Sequence, residues 1–312
     1  MKVLHLHSNQ QRLTAQTAHR SGRTDTHAHG PHLRPCRDYR NHHGHAVRQP
    51  SETLSYPAAI PLSTRSLNHL ADLIRTHRQQ RRSHWRRLDP GRQALLALAH
   101  LRNGDTFTRL AAGFEIGVAT AWRYVREAIT LLAAIADDLQ TAMTRIRLLA
   151  YAILDGTLIP IDRVHHQKPY YSGKHRRHGM NVQVITDAAG RLVWASPALP
   201  GSTHDLTAAR SHDIIDALTS TEVMTFADKA YQGAGGAVRA PFKRHRYRPK
   251  LSARQKAVNK AHARIRARGE RAVATLKTWK LLTKLRCSPS RTSAIVQAIL
   301  ALHHAENPIY RG

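Results

Sequence analysis

The chain reads as an α/β protein, a mixed sheet preceded by a small helical domain. Three observations predict this. Between about residues 63 and 134, apolar residues recur at spacings of three and four. Beyond about residue 148 the pattern shifts to short apolar runs and to two-fold alternation. The length, 312 residues, suffices for one large domain or two modest ones with ample core.

Residues 1–55 match neither pattern. They are polar, rich in His, Arg, Thr and Gln, and lack a sustained period. Such a segment buries too little apolar surface to offset ordering entropy, so a disordered, basic, His-rich N-terminal extension is expected. His27/His29 and His42/His43/His45 within it offer only adventitious metal contacts.

From Ser66 to Gln80, Leu67, Leu70, Ala71 and Ile74 form one apolar helical face. Pro90 opens a second helix, Gly91 to Leu101, with Leu95, Leu96, Leu98 and Ala99 expected inward, and Asn103-Gly104 stops it. Thr106 to Phe114 reads as a short helix, Glu115-Ile116-Gly117 as a turn, and Ala119 to Ala134 as a helix burying Trp122, Val125, Ile129 and Leu132. Two helices around a tight Gly-containing turn predict a helix-turn-helix, with Thr120, Arg123, Tyr124 and Arg126 of the second facing DNA. This helical domain spans about residues 60–136.

Asp137 to Ala150 reads as a linker to a second domain, about residues 148–305. Tyr151 to Leu154 is a strand ending in Asp155-Gly156, and Asn181 to Thr186 alternates Val182 and Val184 with polar residues. Asp187-Ala188-Ala189-Gly190 is a hairpin turn, and Arg191 to Ser196 pairs back. Asp205 to Leu218 reads as one helix, and Glu222 to Ala227 as a strand ending in Asp228. Ser252 to about Leu282 reads as one long helix, its start marked by the capping-box spacing of Ser252 and Gln255. This order is that of a ribonuclease-H-like mixed sheet.

Lys and Arg number 49 against 20 Asp and Glu, a net charge of +29. Such a field draws polyanions and binds nucleic acid through counterion release, although an RNA scaffold would share it. Cys36 and Cys287 are the only cysteines, which excludes a zinc ribbon or a disulfide framework. No apolar run approaches the roughly 20 residues of a membrane span. The stretch Met1-Lys2-Val3-Leu4-His5-Leu6-His7 is too short for a signal peptide, so a cytoplasmic, reduced setting is expected.

Against that basic background three carboxylates stand out. Asp155 and Asp228 end strands that can be sheet neighbours, where ligands of α/β sheets gather. Two carboxylates so close repel, and a divalent cation between them relieves the repulsion. Glu270, on the basic helix, supplies a third oxygen. Arg266, Glu270 and Lys277 fall within roughly 60° of one face of a continuous helix. Hard oxygen donors on rigid elements suit a pair of Mg²⁺ ions in phosphoryl transfer. Gly269, inside that helix, hints at a close approach of backbone or substrate. Asp205 competes as the second acid or serves as an auxiliary one, yet at a helix start it can simply cap the N-terminus. Asp162 and Asp187 read as loop and turn residues. In Tyr170 to His178 the cations Lys174, Arg176 and Arg177 alternate with aromatic rings, as phosphate contact and base stacking require, and Lys243 to Lys250 is similarly basic.

Taken in order, Asp155-Gly156-Thr157, Pro200-Gly201-Ser202-Thr203-His204-Asp205, Asp228-Lys229-Ala230-Tyr231-Gln232-Gly233 and Glu270-Arg271 with Leu276-Lys277 resemble the DDE-superfamily transposases. The likeness is greatest to the bacterial insertion-sequence group related to PIF/Harbinger elements, and it runs from about residue 60 to the C-terminus. The resemblance implies a catalytic domain with two Mg²⁺ or Mn²⁺ ions that cuts element ends and joins them to target DNA. Asp155, Asp228 and Glu270 then are the catalytic acids and metal ligands, and Arg266 and Lys277 the basic partners. It also implies double-stranded DNA, terminal inverted repeats and target alike, as partner, a homodimer at synapsis, and a place at the bacterial nucleoid. Two positions depart from the family pattern: Ala263 stands where it has Tyr, and Ala230 where Gly precedes Tyr231. A catalytically inactive, transposase-derived DNA-binding protein is the alternative function.

Overall fold

Local signals fix the helical part. In the computed structural model, which describes residues 60–83, 85–162, 168–244, 246–247 and 250–307, five helices precede the sheet. The N-terminal extension with its His clusters lies outside these residues. α1 (Thr64–Gln80) buries Leu70, Ala71 and Ile74. α2 (Pro90–Asn103) starts where Asp89 accepts from the Arg92 N–H at 3.0 Å and stops at Gly104, whose φ of 70° needs a residue without Cβ. Leu95, expected inside, is 39 % exposed, and Gln93 is buried instead, donating to the Tyr124 carbonyl and to Glu127. The polar side chain takes the inward slot because both of its partners are there.

Thr106 caps α3 (Phe107–Gly113), and after a turn α4 (Val118–Ala134) buries Ala121, Tyr124, Val125, Ala128 and Leu132. The expected linker contains a further helix, α5 (Leu139–Ile146), capped by Asp138 through the Thr141 N–H at 2.7 Å and burying Ala142, Met143 and Ile146.

The sheet consists of β1 (Ala152–Pro160), β2 (Tyr171–Ser172), β3 (Arg177–Thr186), β4 (Leu192–Ala195), β5 (Leu199–Pro200), β6 (Thr225–Ala227) and β7 (Val238–Arg239). Its order is β2-β3-β1-β6-β7, with β4 and β5 also on β3. β1 does not stop at Asp155 as expected. On one side it pairs antiparallel with β3 as far as Pro160↔Gly179, while its parallel pairing with β6 ends at Leu154↔Ala227. One neighbour continues the ladder after the other has left it. Val182, Val184 and Ile185 of β3 are fully buried, and truncating one such side chain costs about 1–4 kcal/mol.

Two expected helices are each divided. The 205–218 segment forms α6 (Asp205–Ser211) and α7 (Ile214–Ser220), parted by Asp213 at φ 54°, a left-handed conformation that Asp tolerates. The long helix forms α8 (Ala253–Arg266), with the expected Ser252/Gln255 capping box, and α9 (Glu270–Lys277). The break at Ala267–Gly269 lets Gly269 lie on β1, where an added Cβ would sit 2.9 Å from Ile153 Cγ2. α10 (Thr292–Glu306), apolar on nearly all sides, fills the space between β4 and α4. Among the described residues no helix is long and apolar enough to cross a membrane.

Candidate active site

Asp155 and Asp228 each follow directly on the last β1–β6 pair, Leu154↔Ala227. They therefore stand at one level on adjacent parallel strands, and their side chains are 20 % and 21 % exposed. Asp155 accepts from the Gly156 N–H at 2.9 Å, and Asp228 from the Ala230 N–H at 2.7 Å, at the head of the turn Lys229–Tyr231. Ala230, where the family pattern has Gly, is not among the left-handed residues, so alanine fits this turn without strain.

Asp205 is no helix cap. His204 holds the N-cap position of α6, with no side-chain cap bond, and Asp205 turns inward, 8 % exposed. Its Oδ2 accepts from Lys174 Nζ at 3.0 Å and its Oδ1 from Asn181 Nδ2 at 2.8 Å. The carboxylate packs closely against Gly156 of β1, where an added Cβ would come within 2.7 Å of Asp205 Cγ. Behind it runs a buried relay: Tyr231 OH donates to Gln183 Oε1, Gln183 Nε2 to Asn181 Oδ1 at 2.7 Å, and Asn181 on to Asp205. Sequence reasoning missed Asn181 and Gln183, reading them only as the polar residues that alternate with Val182 and Val184, although they are 6 % and 0 % exposed. The signal was present: two amides at i and i+2, ringed by valines, can be buried if they bond to each other.

Burial pushes the Asp155 carboxyl up to about 6, against the opposing pull of Arg266 and with added repulsion from Asp228 and Asp205. Burial also lowers Lys174, but its bond to Asp205 and the charges of Asp228 and Asp155 carry it above its usual range. Lys174 Nζ stands 3.9 Å from Asp228 Oδ2, and Arg266 Nη2 3.9 Å from Asp155 Oδ1. The three aspartates thus form one repulsive cluster held by two cations.

Glu270 is the first residue of α9, exposed, and lines with Asp155 a cleft of about 600 Å³ that also takes in His175, Arg177 and Lys277. Its placement there does not come from the continuous helix face expected of Arg266, Glu270 and Lys277, because the helix breaks between the first two. Arg176 is exposed at φ 51° in the turn before β3, and Ala263 is exposed on α8. Lys243 to Lys250 lies partly outside the described residues.

Among the described residues no three His, Cys, Asp or Glu side chains form a ready-made cage for a metal ion. The donor set nevertheless fits Mg²⁺ or Mn²⁺. Magnesium usually takes only one or two protein carboxylates and fills its shell with water and phosphate oxygens. Asp155 and Asp228 offer that pair, and their mutual repulsion is what a divalent cation offsets.

On α4, Arg123 is exposed and donates to Thr120 Oγ1 at 3.3 Å. Tyr124, expected to face DNA, is instead 3 % exposed, because its ring belongs to the packed face of α4. Arg126 lies over the Trp122 ring at 4.5 Å from the centroid, with Arg291, ahead of α10, at 5.3 Å.

Residues 154–304 match the family described as DDE superfamily endonuclease, and residues 86–137 match the helix-turn-helix of DDE superfamily endonuclease. A protein of Streptomyces albus G, named as a putative transposase for insertion sequence element IS112, is 30 % identical over 214 residues, covering 68 % of this chain and 78 % of the relative. No solved structure matches. Together these matches place the chain in a family: it belongs to the DDE superfamily, among the transposases of bacterial insertion sequences.

Proposed function

We propose that the protein cuts DNA at the ends of a mobile element and transfers those ends into target DNA, using Asp155, Asp228 and Glu270 as catalytic acids. The observation that carries this reading is the placing of Asp155 and Asp228 side by side at the end of a parallel strand pair, with Glu270 on the same cleft as Asp155. Asp155, Asp228 and Glu270 would hold Mg²⁺ or Mn²⁺, two ions, with Asp205 as an auxiliary ligand. The ions would activate water or a DNA 3′-hydroxyl and neutralise the leaving oxygen.

The remaining work falls to the chain's own residues. Arg177 and Lys277 line the cleft and bind the scissile strand's phosphates; Lys174, Arg176 and Arg266 extend that basic track. The Tyr231–Gln183–Asn181 relay keeps Asp205 in one orientation, so the acidic cluster needs no rearrangement when DNA arrives. Thr120, Arg123 and Arg126 of α4 recognise the terminal inverted repeats. Residues 60–136 then act as the end-binding domain and 148–305 as the catalytic domain. Synapsis of two ends makes the working form a homodimer, and the partner DNA puts it at the nucleoid.

The test is nicking of DNA that carries the inverted repeats flanking the gene, with Mg²⁺ or Mn²⁺ and with a chelator. Metal-dependent nicks at the repeat ends, lost in Asp228→Ala while end binding persists, are the expected result. Binding without nicking under any divalent metal would leave only the DNA-binding alternative.

A further inference from the structure

The loop between α1 and α2 reads Arg81-Arg82-Ser83-His84-Trp85-Arg86-Arg87. Trp85 in it is 97 % exposed, the most exposed of the large apolar side chains described. An indole left in water forgoes more burial than almost any other side chain. Described residues near it, Ser83, Arg86 and Arg87, are bonded in place. Arg86 Nε donates to Ser83 Oγ at 3.0 Å, its guanidinium reaches Glu127 at 3.3 and 3.4 Å, and it lies over the Tyr124 ring at 5.8 Å from the centroid. The Arg87 N–H donates to Tyr124 OH at 3.1 Å. Arg82, at φ 49°, turns the chain after α1. The loop is thus fastened to α4 at Tyr124 and Glu127, next to Arg123, and it holds Trp85 outward.

Charge says what such a displayed ring is for. From Leu73 to Leu88 the chain has six arginines and no Asp or Glu. Arg78 and Arg86 are engaged by Gln93 and Glu127, whereas Arg81, Arg82 and Arg87 are exposed and form no ion pair among the described residues. A protein-binding hot spot would set its tryptophan in an apolar surround, and a membrane-binding face would be broadly apolar. A single ring among cations is the arrangement that grips a strand of nucleic acid, cations on phosphates and ring on base.

We propose that Trp85 stacks on an exposed base of the DNA bound along α4, while Arg81, Arg82 and Arg87 hold the flanking phosphates. Duplex DNA offers an open base face only where it is kinked or unpaired, so the loop reads a distortion of the duplex rather than a base sequence. The inference rests on α4 being the DNA-facing helix.

The experiment uses the full chain and two labelled probes: a duplex of the flanking inverted repeat, and the same duplex with a short single-stranded end. Trp85→Ala is expected to weaken binding of at least one probe about ten-fold, with Trp85→Phe keeping most of the affinity and Trp85→Leu losing it. The slope of log K against log salt should stay unchanged in Trp85→Ala and fall by about one in Arg82→Ala. Tryptophan emission should be quenched by DNA more in the wild type than in Trp85→Phe. A loss confined to the overhang probe assigns the contact to an unpaired base, and a loss shared by both assigns it to a kink. The proposal is overturned if Trp85→Ala binds both probes within about two-fold of wild type, if Leu serves as well as Phe, or if Trp85→Ala alters only self-association. Arg123→Ala separates the two readings, since full affinity in that variant beside a loss in Trp85→Ala would remove the α4 assumption and leave Trp85 as a DNA contact.

Discussion

The acids carried by the sheet side and by the helix side of the site are built differently. Asp155, Asp228 and Asp205 sit at the ends of ladders or against them, largely buried, each with fixed donors. Glu270 begins a short helix after a break, exposed, with its charge next to the helix N-terminus. A carboxylate held by the sheet is pre-oriented but desolvated, which costs stability and, at Asp155, raises its pKa. A carboxylate at an exposed helix start keeps its contact with water and, among the described residues, is held by no side-chain partner in the sheet. Under the proposed function this contrast is a division of labour in which the strand acids define the site and Glu270 completes it.

The largest expected effect bears on both sides alike. Asp228→Asn and Glu270→Gln should each lower metal-dependent nicking by at least about 10³-fold, with end-DNA affinity within a few-fold of wild type. Single-turnover cleavage measured beside anisotropy binding checks this. If Glu270→Gln nicks nearly as well as wild type, the third acid is Asp205, already bonded into the cluster, and the division of labour is wrong.

What the sequence makes legible follows the same contrast. Asp155 and Asp228 can be read from it because a lone acid closing a short apolar run, in so basic a chain, serves neither solubility nor packing. The broken helix cannot, since Gly269 signals a close approach but not that the approach is to Ile153 and ends the helix. The relay through Asn181 and Gln183 is hidden by periodicity itself: two-fold alternation separates the faces of a strand but cannot say that both are buried. α5 carries an Asp-x-x-Thr cap signal at Asp138 yet is too short to stand out from a linker, while α10, apolar all round, has no face to read.

A smaller effect tests how closely the strand side is fitted. Gly156→Ala puts a methyl group into the Asp205 carboxylate, which must then rotate away from Asn181 or push β1. A displacement on the order of 1 Å at a catalytic group can cost about 10² in rate, so nicking should fall by that factor while the fold and DNA binding persist. Pairing it with Asn181→Leu, which removes the donor to Asp205 without adding charge, separates crowding from misorientation. Unimpaired nicking in both variants would show that Asp205 is not needed in its present position.

Stability gives the sharpest difference between the two sides. In metal-free buffer the Asp155 carboxyl titrates near 6 when folded, against 3.8 as the ordinary value. Between those values the folded state binds the extra proton, so this residue's contribution falls as pH rises from about 4 to about 6. The charged form at pH 7 then costs on the order of 2–3 kcal/mol. Asp155→Asn should therefore melt several degrees above the wild type at pH 7, with the gap closing by about pH 4. Added Mg²⁺ should raise the wild-type melting temperature and not that of the variant. A variant that melts at or below the wild type at pH 7 would mean the carboxylate is not strained.

Glu270→Gln should show the smallest effect and so completes the comparison. The side chain is exposed, and the stabilisation visible for it is the interaction of its charge with the first turn of α9. That contribution amounts to a few tenths of a kcal/mol at ordinary salt, so removing the charge should lower the melting temperature by about a degree at most. The shift is opposite in sign to that of Asp155→Asn, although both variants lose nicking. Differential scanning calorimetry at pH 7 without metal measures both on one scale. A rise in melting temperature on removing Glu270, comparable to that for Asp155, would mean that Glu270 is pressed into the acidic cluster, and that the helix side is as strained as the sheet side.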